Sequence, residues 1–228
     1  MKHSLLVIGG TGFIGKHAAI RALKEGYQTF ILCRNIPPKS QIIDQIEYIK
    51  IDLNNSDEIK KISNYSFNYV INLAGDIDHC DFRNGGLSLI DIHLYGLIKF
   101  LSILPKNNLK GFVQIGSSDE YGDSIAPQRE TQKESPFSPY SYAKFAATHF
   151  IKLLYRNEQF PGKVLRPFLI YGPGQDESRL IPYVINNAFK NNVISITSGD
   201  QLRDFLYIED ALDVIFLALT NDQANGKI

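Results

Sequence analysis

Tyr140 and Lys144 stand four residues apart in Tyr140-Ser141-Tyr142-Ala143-Lys144, directly after Ser138-Pro139. On a helix that spacing puts both side chains on one face. A lysine charge beside a phenol favours the phenolate, so the pair could donate or accept a proton near neutral pH. A second cluster of reactive oxygens lies in Gly116-Ser117-Ser118-Asp119-Glu120-Tyr121-Gly122. A serine at 117 or 118 could hydrogen-bond a substrate oxygen as that oxygen gains charge. The third feature is Gly9-Gly10-Thr11-Gly12-Phe13-Ile14-Gly15. Glycines in such a turn let the backbone approach a pyrophosphate, and the N–H groups of a following helix attract it. Each feature alone has an ordinary explanation: an amphipathic helix with a surface lysine, a polar loop, a tight turn. Their order along the chain points to proton transfer beside a bound dinucleotide.

These residues need a scaffold that gathers them at one edge. Short runs rich in Val, Ile, Leu and Phe at 4–8, 28–33, 46–51, 69–73, 111–115 and 163–165 predict strands covered on both faces. Helical spacing fills the intervals at 14–25, 56–63, 87–104 and 140–157. Ser56 with Asp57 and Glu58 makes a helix start, and Gly26 a helix end. The alternation predicts an α/β, Rossmann-like, doubly wound parallel sheet with helices on both faces. The glycine turn and the serine loop would both follow strands, at the carboxyl edge where such sheets bind ligands. Beyond Gly172 the pattern loosens, with helices expected at 180–191 and 209–220 and a strand at 193–197. The expected domains are a dinucleotide-binding domain at 1–168 and a small partial substrate lobe at 169–228, interleaved with the end of the sheet.

Composition narrows the function classes. The 228 residues carry 24 Lys plus Arg and 24 Asp plus Glu, so neither a basic excess nor a basic stripe suggests a nucleic-acid partner. Two cysteines, Cys33 and Cys80, are too few for a disulfide framework or a metal knuckle. His79, Cys80 and Asp81 have no second ligand cluster at metal-like spacing, so no metal site is expected. The N-terminus lacks a signal-peptide pattern, and no apolar run reaches the ~20 residues of a bilayer span. The expectation is a soluble cytoplasmic protein without a membrane partner.

As an ordered set, the motifs resemble an extended short-chain dehydrogenase/reductase of the NAD-dependent epimerase/dehydratase family, whose members modify nucleotide sugars. Gly9, Gly12 and Gly15 resemble its Gly-x-x-Gly-x-x-Gly turn, with Phe13 and Ile14 inside it. Asp52-Leu53 resembles the family's acidic adenine contact, and Leu73-Ala74-Gly75 the segment beside the cofactor. The resemblance implies that Tyr140 and Lys144 are the catalytic pair and also touch the cofactor. Counting back four from Tyr121 selects Ser117 as the catalytic serine, with Ser118 and Asp119 beside the substrate. Arg203-Asp204-Phe205 resembles the signature whose arginine meets the substrate's phosphates. The match runs from Leu5 to about Leu219.

Departures from the family shape the rest of the expectation. Cys33 falls where an acidic residue usually closes the second strand, with Arg34 next to it. Such an acid repels a 2′-phosphate, so its absence favours NADP over NAD. His93 stands where many members carry Asn, three before Gly96, and Leu169 where an Asn often contacts the nucleotide. The substrate lobe looks shortened. A dehydratase usually has Glu two residues after its catalytic Ser or Thr; Asp119 occupies that place after Ser117, and Glu120 fits only with Ser118. The expected function is therefore an NAD(P)-dependent nucleotide-sugar ketoreductase or epimerase, with a dehydratase ranked below. The rival from another class is a non-catalytic dinucleotide-binding protein. A homodimer is left open.

Overall fold

The computed structural model describes residues 2–228. Among these, six parallel strands form the main sheet: β1 Ser4–Ile8, β2 Gln28–Cys33, β3 Glu47–Lys50, β4 Tyr69–Asn72, β5 Gly111–Ile115 and β6 Gly162–Leu165. Their order is β3-β2-β1-β4-β5-β6. The sequence runs away from β1 in one direction and then restarts on its other side, which opens a crevice between β1 and β4 at their carboxyl ends.

Both sheet faces are buried, and alternate strand residues supply each one. Leu5, Val7, Ile31, Ile71 and Val113 join α1 (Phe13–Lys24) and a late helix, α7 (Ile208–Thr220), in one apolar layer. The intervening positions Leu6, Ile8, Phe30, Val70 and Phe112 pack on the opposite layer. That layer includes α2 (Ser56–Ile59) with the 3-10 turn Lys60–Asn64, α4 (Gly96–Ile103) and α5 (Pro139–Glu158). Strands placed between two helical layers have no solvated face, which is why their sequences lack alternation.

The 87–104 prediction resolves into three pieces: α3 (Gly86–Ile90), a π turn (Asp91–Tyr95) and α4. The window Gly86–Ile103 has mean hydropathy 1.4 and is long enough to cross a membrane by composition. Here Leu89, Leu97, Phe100 and Leu101 are buried within the protein.

Three local expectations are corrected. Asn55, not Ser56, caps α2, its Oδ1 accepting the N–H groups of Asp57 and Glu58. The predicted helix at 56–63 tightens into 3-10 geometry after Ile59. Residues 193–197 form no strand, and Val193 is 95% exposed. Val-Ile-Ser-Ile-Thr has strand-forming side chains, but no neighbouring strand offers ladder partners there. The second sheet pairs β7 (Leu169–Tyr171) with β8 (Phe205–Tyr207) in parallel. Between them lies α6 (Leu180–Phe189).

Candidate active site

The turn between β1 and α1 is built on glycine. Gly9 has φ +75, and a Cβ there would meet the backbone of Leu73 and Ala74 at 2.9 Å. At Gly15 a Cβ would run into the Gly9 carbonyl, so the helix can sit on the turn only without a side chain. Gly12 precedes α1 with no side-chain cap, and the first turn of α1 carries no acidic residue. Its N–H groups therefore remain available to an anion.

From this turn a cavity of about 510 Å³ runs along the carboxyl edge of the sheet. Gly9, Gly12, Phe13, Ile14 and Gly15 line its beginning, and Leu73, Ala74 and Gly75 its wall. Asn72 holds that wall: its Oδ1 accepts the Ala74 N–H at 3.1 Å while its Nδ2 donates to Gln114 at 2.8 Å. Ser117, Ser118, Asp119, Tyr140 and Lys144 face the same cavity. Arg179 and Arg203 also line it. A glycine turn, an uncapped helix and a long adjoining cleft fit a dinucleotide.

Ser117 is nine-tenths buried at the end of β5. Its Oγ accepts the Asp119 N–H at 3.2 Å, and Glu120 Oε1 accepts the Ser117 N–H at 2.9 Å. This reciprocal capping box starts a 3-10 turn, Ser118–Tyr121, and fixes the serine backbone. Because the Asp119 N–H occupies one lone pair of Oγ, the serine's own proton is free to be donated elsewhere.

Tyr140 and Lys144 lie in the first turns of α5, whose N-terminus Ser138 caps and Pro139 opens. Both are buried, and Lys144 Nζ lies 5.8 Å from the centre of the Tyr140 ring. Nζ donates to the Ile115 carbonyl at 2.9 Å, which ties the lysine to the end of β5. Burial pushes Lys144 down to about 8. Burial also pushes Tyr140 up to about 12, opposed by a hydrogen bond with the Ser117 side chain and reinforced by Asp119 and Glu120. The expectation that Lys144 lowers the phenol is thus corrected. Desolvation dominates, and Ser117 is the principal group pulling Tyr140 down.

Glu120 is fully buried and paired with Arg166, whose Nε donates to Oε2 at 2.7 Å. Arg166 also donates from Nη2 to Glu134 at 2.7 Å and lies over the Tyr121 ring at 4.8 Å. Burial raises the Glu120 proton affinity, and the neighbouring guanidinium opposes that shift. Its carboxylate serves the serine loop and is not directed at the cavity.

Two histidines flank Tyr140. His79 meets its ring edge-on at 5.1 Å and lies 3.7 Å from Asp119. His93, on the π turn, meets it at 5.2 Å with an interplanar angle of 85°. His93 registers in the sequence as a departure from the family, whereas Arg179 has no sequence signal of its own. Asp52 and Leu53 follow β3, outside the cavity wall, and the Asp52 carboxylate accepts the Asn54 N–H at 2.9 Å. Cys33 is buried in the apolar layer at the end of β2, and Arg34 is exposed just beyond it.

Comparison with known proteins adds an independent line. The model of the NAD dependent epimerase/dehydratase family matches residues 5–228. The dTDP-glucose 4,6-dehydratase of Salmonella typhimurium is 28% identical over 252 residues, covering 96% of this chain and 69% of that protein. The crystal structure of Pal from Bacillus thuringiensis superposes with a TM-score of 0.88 at 27% identity, over 99% of this chain and 76% of Pal. A UDP-N-acetylglucosamine 4-epimerase from Methanobrevibacter ruminantium M1, in complex with UDP-N-acetylmuramic acid, gives 0.83 at 26% identity, over 96% and 73%.

Proposed function

The chain belongs to the NAD dependent epimerase/dehydratase family, and on that premise we propose that it is an NAD(P)-dependent nucleotide-sugar oxidoreductase of the ketoreductase or epimerase type. One observation carries the reading: Ser117, Tyr140 and Lys144 line one cavity together with the glycine turn and two arginines. Residues 169–228 would supply the substrate-facing lobe.

The dinucleotide, when bound, supplies a carbon that accepts a hydride and can return it. Gly9 to Gly15 would receive its pyrophosphate, Leu73 to Gly75 would flank it, and Asp52 and Leu53 would meet its adenine end. Tyr140 exchanges a proton with the sugar hydroxyl or ketone. With its proton affinity raised, the phenol is protonated at neutral pH and so carries the proton that a ketone oxygen would take. Ser117, held by Glu120 and Asp119, directs its hydroxyl proton at the same oxygen. Lys144 holds a ribose hydroxyl and supplies positive charge beside the phenol. Ser118 and Asp119 line the sugar position, and Arg203 pairs with the diphosphate as a planar fork. Arg179, which lines the same cavity, adds a second cation. The dehydratase reading stays below these because Glu120 is buried in an ion pair with Arg166 and cannot reach a sugar.

A thermal-shift series with NAD, NADP and UDP-, GDP-, CDP- and dTDP-sugars tests the ligand classes. Stabilisation by one dinucleotide and at least one nucleotide sugar is expected. A dinucleotide response with none to any sugar would favour the non-catalytic binder instead. Given a substrate, Tyr140→Phe should lower turnover by on the order of 10²-fold or more with dinucleotide affinity nearly unchanged. A fully active variant would overturn the mechanism.

For cofactor choice we propose a preference for NADP(H) of ~1–3 kcal/mol, set by Arg34 forming charge-assisted hydrogen bonds to a 2′-phosphate. Arg34→Ala should erase most of it, read by titrating both cofactors against the two proteins. Equal affinities in the unmodified protein would refute this assignment. Cys33→Asp is the weaker probe, since the cysteine is 4% exposed and a carboxylate there would be desolvated.

A further inference from the structure

Arg203-Asp204-Phe205-Leu206 leads into β8, and its side chains alternate between two cavities. Arg203 and Phe205 line the active-site cavity of about 510 Å³. Asp204 and Leu206 line a second cavity of about 330 Å³, outside the chemistry proposed for the first. Extended backbone turns successive side chains to opposite sides, so this run separates its charges. The arginine goes to the cavity assigned to phosphates, and the carboxylate goes to the other.

The two cavities share a wall of Ile14, Leu73, Ile115, Pro167, Phe168 and Ile170. On the far side of the second one, α7 contributes Ala211, Val214 and Ile215. The interior is therefore apolar, and its volume is that of a small-ligand site. Three charged side chains line it: Glu130, Arg166 and Asp204. Arg166 brings no free charge, because Glu120 and Glu134 each accept one of its N–H groups at 2.7 Å. Glu130 and Asp204 are exposed and form no ion pair among the described residues. An apolar interior thus opens at two carboxylates with no cation to answer them.

A neutral apolar ligand would use the interior alone, and an anionic one would meet like charge at the opening. A ligand with a hydrocarbon body and a cationic end uses both. We propose that the second cavity is a binding site for a small apolar amine, its hydrocarbon body against Leu206, Val214 and Ile215 and its ammonium directed to Glu130 and Asp204. A primary ammonium offers three donors to the two carboxylates. The site does not rest on the function proposed for the first cavity.

The test uses protein with ¹³C-labelled Ile, Leu and Val methyl groups, titrated with 2-phenylethylammonium, 2-phenylethanol and 3-phenylpropionate. Val214→Ala and Ile215→Leu assign the reporters of the second cavity. Ile77→Val and Ile181→Val assign those of the first, which these two residues line alone. The ammonium should shift Val214 and Ile215 saturably and leave Ile77 and Ile181 in place. It should bind about fivefold more tightly than the alcohol, with the carboxylate weaker than both. Glu130→Gln with Asp204→Asn should reduce the ammonium to the affinity of the alcohol. If that double variant does not fold, Glu130→Gln alone, at an exposed position, should remove part of the difference. Equal affinities for the three probes overturn the proposal, as do shifts confined to Ile77 and Ile181 or shifts that never saturate. An ammonium preference undiminished in the charge-removed variants overturns it too. The titrations contain no NAD or NADP, so failure of those to bind counts against the proposed function alone.

Discussion

At the scale of single residues, Lys144 illustrates a functional group held against its own solvation. Its folded pKa of about 8 lies below the usual lysine value of 10.5. The unfolded chain therefore binds the proton more tightly, and the penalty is fully present below about pH 8, fading as pH rises towards 10.5. Two and a half units correspond to roughly 3 kcal/mol. Lys144→Met should then stabilise the protein at pH 7 by about 1–2 kcal/mol, after the lost bond to Ile115 is counted. Denaturant midpoints at pH 7 and pH 10.5 would show the gain shrinking with pH. A gain that is constant across that range would mean that packing, not charge, sets the difference. Tyr140 and Lys144 were legible as a pair because four-residue spacing puts them on one helix face, whereas Ser117 was selected over Ser118 only through the family resemblance, by its distance from Tyr121. His93 and Arg179 were not assigned because their places at the cavity arise from neighbours far off in the chain. The direction of the Tyr140 shift was also hidden, since spacing records neighbouring charges but not desolvation.

At the scale of elements, the loop after β5 is held by side chains more than by secondary structure. Glu120 ties Ser117 to Arg166, and Arg166 reaches Glu134 across the loop. Removing one partner of a buried pair leaves an uncompensated charge, which typically costs about 3–5 kcal/mol. Glu120→Ala should lose stability on that scale, and Glu120→Gln, which can still accept the Ser117 N–H, should lose less. Urea unfolding of the two variants distinguishes them; equal losses would show that the carboxylate charge, and not the hydrogen bond to Ser117, accounts for the whole contribution. Strand positions were readable because burial on both faces leaves continuous apolar runs. The π turn was not, because Asp91 to Tyr95 keep ordinary helical composition and only packing against Tyr140 and Gly75 calls for the extra residue. Val-Ile-Ser-Ile-Thr at 193–197 shows the converse: a local preference with no partner strand to realise it.

At the scale of the whole molecule, the α/β layering and parallel sheet followed from strand and helix alternation. The crevice position followed from the restart of strand order beside β1. The small β7–β8 sheet escaped notice because each strand has three residues, too few for a periodic signal. One feature at the rim of the main sheet concerns how the chain is made. The outer edge of β6 is covered by residues far downstream: Gly226 donates to the Gly162 carbonyl at 2.7 Å, and Val164 donates to Lys227 at 3.0 Å. During translation β6 leaves the ribosome well before that cover is synthesised, and at roughly 5–20 residues per second the interval is seconds. For that time the nascent sheet presents a bare strand edge, the template on which foreign strands add. A chain interrupted between β6 and residue 226 would keep that edge open indefinitely.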